Sequence, residues 1–248
     1  MTQGNATQGN KTQGNKTQGN TTQSSATRWH PFESQDDINL AAVTRILKAA
    51  DEAIEKNGSF YIVLAGGSTP KAVYQLLSKE NADWASWYMY HNDDRCLPVD
   101  HAERNSKMAR DAWLSKVAVP ENQIHDIPAE LGNVEGAKAY TETLEGVRTF
   151  DLVILGLGED GHTASLFPGQ AVDNSADAVP VFDSPKPPAD RITISQSRLN
   201  DTNEVMFLVT GAGKQWAVDE WRKGTAIPAT LIFGQNGADV YCFGVDLK

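Results

Sequence analysis

The apolar residues of this chain follow two alternating patterns, which predict strands and helices in turn. Short apolar runs bounded by turn residues are typical of buried strands, and apolar residues three or four positions apart are typical of helices. Strand-like runs lie at 59–67, 86–93, 150–158, 190–195, 204–211, 229–233 and 239–245. Helical patterns lie between most of them, at 36–57, 69–80 and near 103–115, 135–146 and 213–222.

This alternation predicts an α/β fold with a mainly parallel sheet that is covered by helices on both faces. The ligand site of such a sheet is expected at the carboxyl ends of its strands. The first helix has signals at both ends, because Ser34 or Asp36 can cap its start and Asn57-Gly58 can end it. The runs at 229–233 and 239–245, separated by GQNGA, are expected to form a hairpin at one edge of the sheet.

The first 27 residues have a different character from the rest of the chain. Residues 2–21 repeat a TQGN unit that contains nothing to bury, so we predict a disordered tail over 1–27 and a single folded domain over 28–248. An organelle transit peptide is the alternative for this acid-free segment. We disfavour it because the segment is poor in arginine and shows no amphipathic pattern.

The composition narrows the classes of partner. A formal net charge of -10 argues against nucleic acid or an anionic membrane as a general partner, so an anionic substrate would need local positive charge. Cys96 and Cys242 lack metal-type spacing and are expected to be free thiols in a reducing compartment. The chain has no apolar run of about 18 residues and no apolar N-terminal segment, which predicts a cytoplasmic protein without a membrane partner.

A glycine motif, G-x-G-x-x-G, follows the apolar run at 150–155 and could indicate a dinucleotide site. Its glycines are Gly156, Gly158 and Gly161. Three features argue against a nucleotide. Pro168 leaves no room for the long helix that receives a pyrophosphate, Glu159 and Asp160 would repel one, and the motif lies mid-chain.

The same segment instead presents an Asp-Gly-His at the end of a strand. His162 is the side chain best suited to exchange protons near neutral pH, and Asp160 lies two residues before it. We interpret this pair as a candidate general base with its partner. The alternative is a loop histidine that only caps a short helix.

A small-residue loop, Gly66-Gly67-Ser68-Thr69, leads from a predicted strand into a helix with Pro70 at its first position. Exposed N–H groups, two hydroxyls and the positive end of the helix would form a phosphate cradle. The loop lacks the Gly-Lys-Ser/Thr of a P-loop, so it does not predict a nucleoside triphosphate site. An ordinary loop with a threonine cap is the alternative.

Charged residues follow three other predicted strand boundaries. Asp93, Asp94 and Arg95 come directly after one strand, and an Asp-Arg pair there can orient a substrate hydroxyl and hold a cation near a phosphate. Arg191 begins another strand, and Lys214 opens a helix after two glycines. The alternatives are an ion pair that fixes the loop, and solvated surface charges.

Five segments together resemble one family, in order and at sensible distances. They are LAGGSTP, NDDRCLPVDHAERN, LGLGEDGHTASLFPG, RITIS and GAGK, spread over residues 30–248. The chain therefore resembles the 6-phosphogluconolactonases, whose sister group is the glucosamine-6-phosphate deaminases. The resemblance implies a Rossmann-like sheet and hydrolysis of 6-phospho-D-glucono-1,5-lactone in the oxidative pentose phosphate pathway.

Two positions distinguish these groups. The deaminases carry Asp-Glu-Tyr where this chain has Asp93-Asp94-Arg95, and a catalytic glutamate at the position of Phe167. Both differences favour the lactonase. One departure is that lactonases usually have Ser-Asn where this chain has Arg104-Asn105. The resemblance therefore does not indicate what the side chain at position 104 contacts.

The resemblance also implies roles for the residues noted above. The phosphate would lie among Ser68, Thr69, Arg191 and Lys214, with Arg95 close by, and His162 with Asp160 would activate water. Gly66, Gly67 and Asp93 would complete the substrate site, and the oxyanion donors would be Arg95 or N–H groups of 156–161. No metal or cofactor is expected, and the protein is expected to be a monomer or a weak homodimer. An amino-sugar-phosphate isomerase or deaminase, and a non-catalytic phosphosugar sensor, are the alternative functions.

Overall fold

The structure, a computed structural model, describes residue 1, residues 27–171 and residues 173–248. The predicted disordered tail falls almost entirely on residues 2–26, which lie outside the described residues. Thr27, which the prediction assigns to the tail, is instead the first residue of a strand. None of the helices in the described ranges is both long and apolar enough to cross a membrane.

Strands and helices alternate along most of the described chain. The strands are β1 (Thr27–Pro31), β2 (Phe60–Leu64), β3 (Trp87–His91), β4 (Asp93–Arg95), β5 (Ile124–His125), β6 (Phe150–Gly156), β7 (Ala178–Val181), β8 (Arg191–Ile194), β9 (Thr202–Thr210) and β10 (Ala238–Phe243). The α-helices are α1 (Gln35–Asn57), α2 (Ser68–Leu77), α3 (Asn105–Ala112), α4 (Asn133–Leu144), α5 (Gln196–Asn200) and α6 (Gln215–Lys223).

The main sheet has seven strands in the order β1-β10-β9-β6-β2-β3-β5, and all of its pairs are parallel. Alternate residues of its central strands enter two separate cores, because successive side chains of a strand point to opposite faces. Leu152 and Ile154 of β6 pack with α1, α2 and α3. Val153 and Leu155 pack with α4, α6 and the strands of a smaller sheet. The predicted parallel sheet, covered on both faces, is confirmed.

The smaller sheet has the order β4-β8-β7, and its pairs are antiparallel. The apolar pattern predicts β8 as a strand but does not reveal that it belongs to a second sheet, because periodicity does not specify the pairing partner. The pairing has a consequence for the predicted site. Arg95 lies opposite Arg191, and Asp93 lies opposite Thr193, so residues far apart in the sequence become cross-strand neighbours.

The expected hairpin near the end of the chain is wrong. Residues Pro228–Leu231 form a 3-10 turn, and β10 lies between β9 and β1 and is parallel to both. The physical reason is that α6 connects β9 to β10, so these elements make one more parallel β-α-β unit. The apolar residues Ala229 and Ile232 are buried beneath this unit without joining the sheet.

Helix ends follow the sequence signals closely for α1 and less closely for α2. Ser34 Oγ accepts a hydrogen bond from the Asp37 N–H at 3.1 Å, and Gly58 adopts a left-handed φ of 76° as the C-terminal cap. In α2 the cap is Gly67 and the helix begins at Ser68, so Pro70 is its third residue instead of its first. The N–H that Pro70 lacks would still have no helical partner there.

Candidate active site

A cavity of about 350 Å³ lies where the loops after β2, β3 and β6 meet the start of α6. Seven of the residues predicted from the sequence line it: Gly66, Gly67, Asp93, Arg95, His162, Arg191 and Lys214. They come from five separate segments of the chain, as expected for a site at the carboxyl ends of parallel strands. Asn92, Asn105 and Lys186 also line the cavity, and sequence reasoning did not select them.

Three of the predicted site residues do not line this cavity. Ser68 is the exposed first residue of α2. The Thr69 hydroxyl lies 2.7 Å from the Thr210 hydroxyl, so it ties α2 to the end of β9. Asp160 lies within hydrogen-bond distance of His162, which lines the cavity.

The contact between His162 and Asp160 defines the state of the imidazole. His162 Nδ1 lies 2.5 Å from Asp160 Oδ1. Hydrogen bonding to His162 keeps the pKa of Asp160 below its ordinary value despite partial burial, so the carboxylate is ionised and can only accept. Nδ1 therefore carries the proton, and the lone pair is on Nε2.

Burial lowers the pKa of His162 below its ordinary value. Two carboxylates oppose this effect, Asp160 by direct contact and Asp93 through space, while the charge of Lys186 adds to it. The imidazole is consequently neutral at pH 7. A neutral imidazole with a free Nε2 facing a cavity can accept a proton from a bound water.

Two neighbours fix the position of the His162 ring. A Cβ added to Gly158 would lie 1.9 Å from His162 Nδ1, so only glycine leaves room for the ring. On another side the ring packs against the buried Phe167, with 4.8 Å between the two ring centroids. The second glycine of the motif therefore accommodates the histidine, which explains the spacing without a nucleotide.

Asp93 lies at the base of the cavity and is buried. Its Oδ2 accepts a hydrogen bond from the Ser165 hydroxyl at 2.6 Å, and its Oδ1 accepts one from the Asn105 amide at 2.9 Å. Arg191 Nη1 is 4.0 Å away. Burial raises the pKa of Asp93, although the Ser165 bond and two nearby arginines oppose the shift. Asp93 thus links three of the segments that form the cavity.

Asp94 points away from the cavity and organises α3. It accepts five hydrogen bonds, which come from the N–H groups of Arg95, Asn105 and Ser106, from Ser106 Oγ and from Arg104 Nε. The contact left open at position 104 is therefore structural. Arg104 is 2% exposed and also donates to the carbonyls of Leu97 and Ile127. This clamp holds the β4–α3 loop beside the cavity.

Arg95 lines the cavity, and one nitrogen of its guanidinium is hydrogen-bonded to the backbone. Its Nη1 donates to the Glu103 carbonyl at 2.5 Å. Its Nε is buried and has no hydrogen-bond partner among the described residues, and the same is true of Asn92 Oδ1. A buried polar atom without a partner is costly, so these two atoms are unsatisfied groups in the wall of the cavity.

The glycine loop presents backbone donors to the cavity. The N–H groups of Gly66 and Gly67 make no hydrogen bond to any described residue, and the loop lies at the positive end of α2. A Cβ at Gly66 would lie 2.0 Å from Asn105 Oδ1, so glycine is needed for α3 to approach. The predicted anion cradle stays a prediction, in which the backbone donors of Gly66 and Gly67 line the cavity and the hydroxyls of Ser68 and Thr69 do not.

Cations dominate the remaining wall of the cavity. Lys186 and Lys214 form no ion pair within 4.0 Å to any residue that the structure describes. Burial lowers the pKa of Lys214, and Lys186 lowers it further, whereas Glu159 opposes the shift. Within the described ranges no group of three or more metal-binding side chains could hold a metal ion.

Comparisons with known proteins identify the family of the chain. The family model for glucosamine-6-phosphate isomerases/6-phosphogluconolactonase matches residues 33–241. A protein of Oryza sativa subsp. indica named probable 6-phosphogluconolactonase 3, chloroplastic, is 34% identical over 231 residues, covering 83% of this chain and 70% of its own. The 6-phosphogluconolactonase of Synechocystis sp. is 37% identical over 190 residues, covering 73% of this chain and 77% of its own.

Solved structures show the same fold. The crystal structure of the Thermotoga maritima 6-phosphogluconolactonase superposes with a TM-score of 0.83 at 26% identity, covering 88% of this chain and 100% of that chain. The 6-phosphogluconolactonase of Trypanosoma brucei gives a TM-score of 0.79 at 25% identity, covering 88% and 96%. The predicted Rossmann-like fold is therefore confirmed. The chain belongs to the glucosamine-6-phosphate isomerase/6-phosphogluconolactonase family.

Proposed function

We propose that this protein hydrolyses 6-phospho-D-glucono-1,5-lactone to 6-phosphogluconate in the oxidative pentose phosphate pathway. The observation that carries the proposal is a neutral imidazole, held at Nδ1 by Asp160, in a cavity rich in cations. The names of the relatives support the same reaction. The substrate is a cyclic ester with an anionic phosphate, so it needs both a base and local positive charge.

His162 acts as the general base in this proposal. Nε2 takes a proton from a water molecule as the water oxygen bonds to the lactone carbonyl carbon, and the carbonyl oxygen becomes an oxyanion. When the tetrahedral intermediate collapses, the bond to the ring oxygen breaks, and the imidazolium returns its proton to that oxygen. General-base help of this kind contributes about 10²- to 10⁴-fold in rate.

Arg95 is the proposed donor to the oxyanion. Its guanidinium lines the cavity, and the Nη1 bond to the Glu103 carbonyl fixes the direction of the group. A donor that is oriented before the reaction stabilises the developing charge without reorganising.

The two alternative functions have less support. A deaminase of this family would carry a glutamate at position 167, where Phe167 is 3% exposed and packs on the His162 ring. Phenylalanine has no acidic group, so the residue at position 167 cannot transfer a proton as that glutamate would. A non-catalytic sensor would not need a tautomer fixed for proton transfer, whereas the contact between His162 and Asp160 provides one.

The proposal is tested by measuring hydrolysis of freshly generated 6-phosphogluconolactone, corrected for spontaneous opening. We expect His162→Ala to lose at least about 10²-fold in kcat while keeping its circular dichroism spectrum. His30→Ala, at a half-exposed histidine on β1, is the matched control and should keep full activity. Wild-type activity in His162→Ala would remove His162 from the role of base.

Location and assembly belong to the same proposal. We propose a cytoplasmic enzyme that is a monomer or a weak homodimer, although the names of the rice relatives include the word chloroplastic. Fractionation of cells that express the full chain checks the location. Sedimentation velocity over a range of concentrations checks the assembly, and a stable higher oligomer would contradict it.

A further inference from the structure

Arg191 lines the cavity, but its hydrogen bonds hold a loop. The segment 182–190, here called the 182–190 loop, connects β7 to β8. Arg191 Nη2 donates to the carbonyls of Lys186 and Pro187 at 2.9 and 3.0 Å, and its Nε donates to the carbonyl of Pro188 at 3.2 Å. The guanidinium thus fixes three successive peptide groups of the loop.

The remaining nitrogen of Arg191 is poorly placed for a phosphate. Nη1 faces Asp93 Oδ2 at 4.0 Å, so a phosphate bound there would approach a buried carboxylate. Like charges in such a site repel strongly. To bind a phosphate with its other donors, Arg191 would have to release the loop that it holds.

Lys186 is presented to the cavity by this same loop. Its backbone is fixed by the Arg191 bonds and by Ser184, whose hydroxyl accepts from the Lys186 N–H and donates to its carbonyl. Its side chain lines the cavity, is half-buried and has no carboxylate within 4.0 Å among the described residues. A positioned ammonium without a partner is suited to an anionic ligand.

The family resemblance already implies Lys214 as a ligand of the substrate phosphate. We propose that Lys186 is a second ligand of that phosphate, and that Arg191 is a positioning residue that holds the Lys186 loop. The inference rests on the proposed lactonase function and specifies how that site selects a phosphorylated sugar. A phosphate dianion matches two ammonium groups in charge, and the free N–H groups of Gly66 and Gly67 add further donors.

Electrostatics of the cavity agree with this assignment. The charge of Lys186 contributes to the lowered pKa of both His162 and Lys214, so the three groups share one field. The two ammonium groups repel each other, and a dianion bound between them would stabilise the charged form of both. The phosphate end of the substrate would thereby be held within reach of the base.

The direct test uses Lys186→Met, which keeps the length of the side chain and removes its charge. We expect about 10- to 100-fold weaker binding of 6-phosphogluconate by calorimetry and a similar rise in KM for 6-phosphogluconolactone. The loss on unphosphorylated glucono-1,5-lactone should be at least about tenfold smaller. Lys48→Met, at an exposed lysine that pairs with Glu52 on α1, is the matched control. Unchanged binding by Lys186→Met would overturn the proposal.

The role of Arg191 is tested by a double-mutant cycle with Arg191→Gln. The readout is the ratio of kcat/KM for 6-phosphogluconolactone to kcat/KM for glucono-1,5-lactone, which a general loss of structure would not change. We expect Arg191→Gln to lower the ratio alone and to lower it no further in the Lys186→Met background. A further drop in that background would show that Arg191 itself contacts the phosphate and would overturn its assignment as a positioning residue.

These tests separate the inference from the proposed function. If the wild-type protein does not hydrolyse the lactone but Lys186→Met loses 6-phosphogluconate binding, the function is wrong and the phosphate site stands. If the wild type is an active lactonase and Lys186→Met binds 6-phosphogluconate normally, the function stands and the inference is wrong.

Discussion

At the scale of single residues, the protonation of His162 decides whether the site can act as a base. Burial favours the neutral ring, whereas the anion of Asp160 favours the charged one. Because the net pKa lies below the ordinary value, kcat/KM should be constant above about pH 6.5 and should fall as the pH drops below the pKa of the ring.

Asp160→Asn should move this acid limb of the pH profile to lower pH. Removal of the carboxylate takes away an influence that raises the pKa of His162, so the ring stays neutral to lower pH. The rate at the plateau should fall by as much as about 10⁴-fold, because the tautomer is no longer fixed. Glu159→Gln is the matched control, since Glu159 is not among the groups that shift the pKa of His162. A limb that moves upward in Asp160→Asn would contradict this account.

Lys186→Met should shift the acid limb in the opposite direction. Lys186 lowers the pKa of His162, so its neutral replacement lets the imidazole bind a proton at higher pH. The measurement is the pH dependence of kcat/KM for glucono-1,5-lactone, which isolates the base from phosphate binding. An unchanged limb would mean that the charge at 186 does not act on His162.

Gly158→Ala should reduce activity through geometry alone. The added methyl group would lie 1.9 Å from His162 Nδ1, so the ring has to leave its position against Asp160. We expect a loss of about 10²-fold or more in kcat with little change in the unfolding temperature. Gly156→Ala, where a Cβ meets nothing within 4 Å, should lose much less. Equal losses in the two variants would contradict the steric argument.

At the scale of elements, the buried pair of Asp94 and Arg104 fixes where α3 begins and how β4 meets it. Asp94 supplies the cap that the side chain at position 104 does not provide, because it accepts from the N–H groups of Asn105 and Ser106. In turn, Arg104 neutralises a carboxylate that is 0% exposed. The orientation of Asn105 and Asp93 at the cavity depends on this junction.

Arg104→Ser, which introduces the residue usual in lactonases, should destabilise this protein. The change leaves Asp94 buried without its cation and empties the space of the guanidinium, at a cost of about 3 to 5 kcal/mol in the free energy of unfolding. Urea unfolding followed by tryptophan fluorescence measures the effect. Arg45→Ser, at an arginine paired with Glu52 and Glu204 near the surface, is the control and should cost much less. Similar costs would show that burial of the Arg104 pair is not decisive.

Local sequence signals predicted most elements and part of the site. Runs such as 150–156 have one strong interpretation, and the loop around His162 is defined by residues close in sequence. The pairing of β4 with β8 joins residues about 100 positions apart, and the pairing of β10 with β1 joins residues 211 positions apart. Periodicity does not encode contacts of such long range. Lys186 was not selected because it lies outside the glycine loops and strand ends that the sequence singles out. Asn92 was not selected because it carries no charge, although it directly precedes Asp93, and the fold brings both residues to the cavity.

At the scale of the whole molecule, a protein with a net charge of -10 surrounds a site built from cations. The sheet makes this possible by gathering loops from distant segments at one edge, so a few positive residues face one another inside an acidic surface. Integrity of the sheet is therefore a condition for the site. Its outer strand next to β10 is β1, in which Arg28 pairs with Asp239 and Trp29 packs on Trp221.

Removal of β1 should weaken the whole fold. A chain that begins after Pro31 loses the ladder with β10 and the packing of Trp29, so we expect the free energy of unfolding to fall by about 3 kcal/mol or more. The matched control is a chain that begins at Thr27 and keeps β1. Thermal unfolding of the two chains measures the difference, and equal melting temperatures would show that β1 contributes nothing.

The pairing of β1 with β10 also constrains the order in which the molecule is made. β1 starts at Thr27 and pairs with β10, which starts at Ala238, 211 residues later. In a nascent chain on the ribosome, β1 therefore has no strand to pair with until every other described element has been synthesised. Parallel contacts of such long range close slowly. The edge of β9 that pairs with β10 also stays unpaired until β10 has been synthesised. During that interval the edge is exposed to chaperones and to other copies of the chain.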